Sequence, residues 1–168
     1  VNLSMMIEHS KSVRKGVKKS LMIVDMPFNT YKNKLQALKN CKKIIKETKC
    51  DGVKLEGGSK IKDIIKHLVN NKIPVMGHIG ITPQSQRGRF RYKGKTEKEK
   101  KNLLKDSKIL EEAGVFAIVL ECIEKKLSKK IYFLLNGNVK FNKYFEKNSL
   151  TFASVNKKNS PLGISGLN

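Results

Sequence analysis

Four short apolar runs recur along the chain, and each ends in a charged or polar residue. They close on Val24-Asp25, on Lys54-Leu55-Glu56-Gly57-Gly58, on Gly77-His78-Ile79-Gly80 and on Leu120-Glu121. A Gly, a Pro or a turn follows each one, which is how a parallel α/β protein sets its chemistry at the carboxyl ends of buried strands. The pattern predicts strands over residues 21–24, 52–55, 73–76 and 115–120. Pro27 stops the first, because proline cannot continue a ladder. Between the strands, apolar residues recur at helical spacing over 5–18, 31–48, 60–70 and 96–113, with a shorter helix at 127–135. In 31–48 the expected apolar face is Leu35, Leu38, Cys41, Ile44 and Ile45, with Lys opposite. Thr96 followed three residues later by Glu99 reads as a capping box. Strands alternating with helices of this length predict βαβ units and a parallel sheet.

Four βα units are half of a (β/α)8 barrel, and a half-barrel exposes sheet edges. An open doubly wound sheet is the alternative, and the pattern alone does not choose between them. From Gly137 onward the periodicity weakens and Asn, Lys and Ser dominate. Residues 1–136 are therefore expected to form a partial barrel domain. Residues 137–168 are expected to be a divergent tail, disordered or frameshifted, with no further strand–helix unit.

Composition changes this picture little. A chain of 168 residues with 39% apolar content suffices for one domain with a core. The net charge of +22 invites a nucleic-acid reading. The basic residues are mostly Lys and are spread along the whole chain beside abundant Asn and Ile. All three types have A/T-rich codons, so compositional bias is the preferred account of the charge. Cys41, Cys50 and Cys122 show no CxxC spacing and suit a reducing cytosol. No apolar run approaches a membrane span and no signal-peptide pattern opens the chain, so a cytoplasmic protein is expected. The chain begins with Val, and a fragment is expected.

The polar strand ends carry the candidate chemistry. Asp25 and Glu56 end consecutive strands, which lie about 5 Å apart, so their carboxylates can converge on a hard cation such as Mg²⁺ or be unrelated loop acids. Lys54 shares a strand face with Glu56; it either binds a substrate carboxylate or pairs with Asp25 or Glu56. His78 is a candidate hydrogen-bonding or acid–base group, or a structural histidine. Glu121 is a candidate general base or an ordinary loop acid. The loop from Gln86 through Arg87, Gly88, Arg89, Phe90 and Arg91 to Tyr92 mixes arginines with aromatics. That suits phosphates and bases, or an anionic ligand, or a subunit contact, although no nucleic-acid-binding signature accompanies it.

At these residues the chain resembles the ketopantoate hydroxymethyltransferase family, also called 3-methyl-2-oxobutanoate hydroxymethyltransferase. Asp25-Met26-Pro27-Phe28 with Tyr31 is similar to its DMPF-x-x-Y segment, and Val53 to Gly58 to its VKLEGG segment. The run from Ile73 to Gln84 resembles IPVMGHIGLTPQ, and Ala113-Gly114 with Val119 to Cys122 resembles AG…VLEC. His9, Val13 and Gly16 fit the helix before the first motif. The resemblance covers roughly residues 4–132. It implies a (β/α)8 barrel, Mg²⁺, and 5,10-methylenetetrahydrofolate as co-substrate. The implied reaction adds a hydroxymethyl group to 3-methyl-2-oxobutanoate to give 2-dehydropantoate in pantothenate synthesis. The resemblance further implies Asp25 and Glu56 as metal ligands, with Asp25, Lys54 and His78 at the keto acid and Glu121 as general base. A homo-oligomer is implied for a full-length chain. The family's VGDS segment, with a further Asp ligand and a Ser, and its IGIGAG and DGQ segments find no match, and Glu124 stands where Pro is common. A noncatalytic basic nucleic-acid-binding module and another Mg²⁺-dependent oxo-acid barrel enzyme are the alternative readings.

Overall fold

The strands form where β-branched and aliphatic residues alternate between two apolar surfaces, and the helices form where capping residues stop the chain from extending. In a computed structural model, residues 1–84 and 91–136 and the backbone of 150–154 are described. Helix α1 (Leu3–Gly16) starts at Asn2, whose side chain accepts from the Met5 N–H at 2.9 Å. Strand β1 (Ile23–Asp25) follows, then α2 (Lys34–Thr48), capped by Asn33 in the same way. Strand β2 (Gly52–Glu56) leads through a 3₁₀ turn (Ser59–Ile61) into α3 (Lys62–Asn70). Strand β3 (Val75–Gly80), α4 (Glu97–Glu112), β4 (Ala117–Glu121) and α5 (Lys125–Asn136) complete the alternation.

The four parallel strands are hydrogen-bonded in chain order, β1-β2-β3-β4. A doubly wound sheet reverses its strand order at a switch point, and this one does not. Right-handed crossovers that always step the same way set every helix on one side of the sheet. Val24, Val53, Leu55, Val75, Ile79, Ile118 and Leu120 face those helices, joining Ala37, Cys41, Ile44, Ile65, Leu68, Leu110 and Ile131 in one core. The opposite face carries a smaller cluster of Met76, Phe116, Ala117 and Val119, with Ile23 packed against it. A one-sided, singly wound segment is half of a barrel wall, and this second face is the barrel's inner face.

Two expectations need correction. Strands β1, β3 and β4 begin two residues later than the apolar runs, whereas β2 begins where expected, because Met22, Ile73 and Val115 are buried lead-in residues that fill the core before the ladder starts. Asp25, Glu56, His78 and Glu121 consequently lie inside the strands rather than beyond them. In α2 the buried seam is Ala37, Cys41, Ile44 and Thr48, and Leu35 is 78% exposed. Of the expected face, Cys41 and Ile44 are fully buried and Leu38 and Ile45 pack against the core, so Leu35 alone departs from it. Within residues 137–168, where no strand–helix unit is expected, a single strand β5 (Leu150–Ser154) is described; it pairs antiparallel with β4, Ala117 opposite Ser154 and Glu121 opposite Leu150. The β4 edge is therefore covered rather than open. No helix among the described residues is long and apolar enough to cross a membrane.

Candidate active site

Side chains alternate faces along a strand, so register decides which residues meet. Asp25 is level with Lys54, Glu56 with His78, and Gly80 with Glu121. Carried through the register, Asp25, Lys54, Glu56, His78 and Glu121 have one parity, and all five belong to the inner face. They climb in three rows from β1 to β4, with apolar Met76 and Ala117 completing the row of Asp25 and Lys54, Val119 completing the row of Glu56 and His78, and Ile23 one row below.

Contacts link them in two groups. Lys54 Nζ lies 3.0 Å from Asp25 Oδ1, so the ion pair left open between Asp25 and Glu56 goes to Asp25. His78 is fully buried between two carboxylates, its Nδ1 3.5 Å from Glu56 Oε1 and its Nε2 3.0 Å from Glu121 Oε2. Neither approach has hydrogen-bond alignment, so both are electrostatic neighbours rather than completed bonds. Asp25 and Glu56 are not level: they stand two residues apart along the strand direction, and each carboxylate faces a different partner.

Three further residues carry contacts at the site that the sequence pattern did not assign them. The main-chain N–H of Gln84 donates to Glu56 Oε2 at 3.2 Å. The Tyr31 hydroxyl lies 3.5 Å from the Glu56 carbonyl oxygen; burial pushes its pKa up, and the charges of Glu56 and Asp25 add to that rise against the lowering by this contact. Glu99 does more than close a capping box. Thr96 Oγ1 accepts from the Glu99 N–H at 3.2 Å, while Glu99 Oε2 accepts from the N–H groups of Gly94 and Lys95 and Oε1 pairs with Arg91. The Arg91 guanidinium above all holds the Glu99 carboxyl down at about 2. Just before this clamp, Lys93 bridges Ile123, two residues past Glu121. The motifs contained Gln84 and Tyr31, but only contacts between distant segments show what they touch. The arginine–aromatic loop lies outside the described residues from Gln86 to Phe90; Arg91 is engaged with Glu99.

The Mg²⁺ that the resemblance implies must find its ligands among these residues. Among the described residues no three His, Cys, Asp or Glu side chains converge as a ready cage. Mg²⁺ seldom needs one, since it commonly takes one or two carboxylates and completes its shell with water and substrate oxygens. The inner face holds three carboxylates, Asp25, Glu56 and Glu121, against one ammonium, Lys54, an excess of negative charge on a largely buried surface. The donor set fits a hard divalent cation.

A one-sided parallel α/β wall with an ionisable inner face is the signature of a (β/α) barrel enzyme. Residues 1–136 match the family model described as ketopantoate hydroxymethyltransferase. The chain is 65% identical over 131 residues to the 3-methyl-2-oxobutanoate hydroxymethyltransferase of Pelagibacter ubique (strain HTCC1062), covering 78% of this chain and 51% of that one. It is 48% identical over 134 residues to the protein of that name from Clostridium botulinum (strain Alaska E43 / Type E3), covering 78% and 49%. The Aliarcobacter butzleri (strain RM4018) protein of that name is 45% identical over 131 residues, covering 77% and 49%. The chain belongs to the ketopantoate hydroxymethyltransferase family. It spans about half the length of the curated relatives it matches.

Proposed function

We propose that this chain carries the β1–β4 wall of a site that transfers a hydroxymethyl group from 5,10-methylenetetrahydrofolate to 3-methyl-2-oxobutanoate, giving 2-dehydropantoate for pantothenate synthesis. One observation supports it most: four successive strands set Asp25, Lys54, Glu56, His78 and Glu121 on one inner face. Asp25 and Glu56 would hold Mg²⁺, which when bound withdraws charge from the 2-oxo group of the keto acid. Lys54 orients the substrate carboxylate by charge. Glu121 removes the C3 proton, alpha to the carbonyl. C3 then bonds to the folate's methylene carbon, whose bonds to the carrier break as water supplies the hydroxyl oxygen. His78, buried against Glu121, keeps that carboxylate aimed across the face and excludes water beneath it. Three free cysteines fit a cytoplasmic setting.

The test uses the step assigned to this chain's own residues. With 3-methyl-2-oxobutanoate and Mg²⁺ in D₂O, proton NMR should show loss of the C3 proton signal for the wild-type chain and none for Glu121→Gln. Equal exchange in both proteins removes Glu121 from the role. Adding methylenetetrahydrofolate should then yield 2-dehydropantoate.

A further inference from the structure

Gln84 has a second polar group. Its main-chain N–H is spent on Glu56 Oε2, but its side-chain Oε1 is buried and meets no donor among the described residues. A buried acceptor without a donor costs about 1–3 kcal/mol, so such a group is kept where a ligand satisfies it. A donor brought in by a group docking beside Glu56, next to the Gln84 main chain, would satisfy it. The keto acid offers only a ketone and a carboxylate there, both acceptors. A water held by a divalent cation, by contrast, presents polarised O–H groups outward.

We infer that Gln84 is an outer-sphere residue of the cation site proposed at Glu56: its N–H fixes the carboxylate and its side-chain carbonyl accepts from a cation-bound water. This rests on the proposed function reading of Glu56 as a metal ligand. It is a positioning role, because Gln84 touches the ligand residue and the water rather than the reacting carbons. Partners of this kind set how a metal ligand is oriented, and losing one typically weakens metal binding by about 10–100-fold. The main-chain bond to Glu56 survives any side-chain replacement, so substitution isolates the carbonyl.

Mn²⁺ binding to the full 168-residue chain, read by the loss of the free-ion EPR signal, tests the inference with no substrate present. Gln84→Leu should weaken Mn²⁺ binding by at least about 10-fold. Gln84→Glu, which keeps an acceptor oxygen in place, should bind as tightly as wild type or more so. Wild-type affinity in Gln84→Leu overturns the inference, as does an equal loss in both variants, which would mark the side chain as mere packing. Glu56→Gln separates this from the underlying reading. If wild type binds Mn²⁺ no better than Glu56→Gln, the metal site itself is wrong and the role of Gln84 falls with it.

Discussion

Replacing Gly80 with Ala should damage the fold far more than the same change at Gly77, three residues earlier on β3. Gly80 has φ +106°, a conformation L side chains rarely adopt, and a Cβ there would run into the Glu121 carbonyl oxygen on β4. That oxygen is main chain, already accepts from the Ile81 N–H at 3.0 Å, and cannot rotate aside. The backbone conformation costs about 1–3 kcal/mol for a residue with a side chain, and forcing the strands apart adds about 1–3 kcal/mol. The sum is about 4 kcal/mol, a large share of the roughly 5–15 kcal/mol that holds a domain together. At Gly77 the new Cβ meets Leu110 Cδ1 at 2.9 Å, and the next contacts are at 3.6 and 3.7 Å. The end of a flexible side chain can swing away, and alanine lowers the unfolded chain's entropy by about 0.4–1 kcal/mol in compensation. The expected net cost is about 1 kcal/mol or less. Urea unfolding followed by far-ultraviolet circular dichroism gives both values from midpoint and slope. If the two variants unfold within about 1 kcal/mol of each other, the argument from backbone contact is wrong.

Glu99 contributes stability that is present above its unfolded pKa of about 4.3 and is lost as pH falls toward the folded value of about 2; Glu99→Gln should flatten the stability–pH curve between those limits in acid titrations of urea midpoints. Lys54→Met should change stability by no more than about 1 kcal/mol, since its partner Asp25 is 41% exposed, yet should abolish C3 proton exchange; a folded variant that still exchanges removes Lys54 from the role. In native protein Ellman's reagent should reach Cys122 first: Cys41 is fully buried, with burial pushing its thiol up to about 12, and Cys50 is also buried, whereas all three should react in urea. Ile44→Ala should cost about 2–5 kcal/mol in thermal or urea unfolding while Leu35→Ala is near neutral, and a comparable cost for Leu35→Ala would return Leu35 to the buried face of α2 that the apolar pattern suggests.

The sequence by itself determined the alternation of strands and helices, the cap at Thr96, and the five polar strand-end residues that the sheet brings to one face. These are local facts, since periodicity, turn chemistry and motif order are each read within about a dozen residues. The apolar runs misled only at their edges, where Met22, Ile73 and Val115 are buried without being strand. Tertiary structure decided the rest. Whether Asp25 meets Lys54 or Glu56 depends on a register set by hydrogen bonds between segments some 29 residues apart. A slip of one residue would have turned every side chain of a strand to the opposite face. The same long-range geometry buries His78 between Glu56 and Glu121, brings the Gln84 N–H onto Glu56, and sets Leu150–Ser154 against β4. Strand parity is written in the chain, but which strand stands beside which, and at what height, exists only once the sheet has closed its ladders.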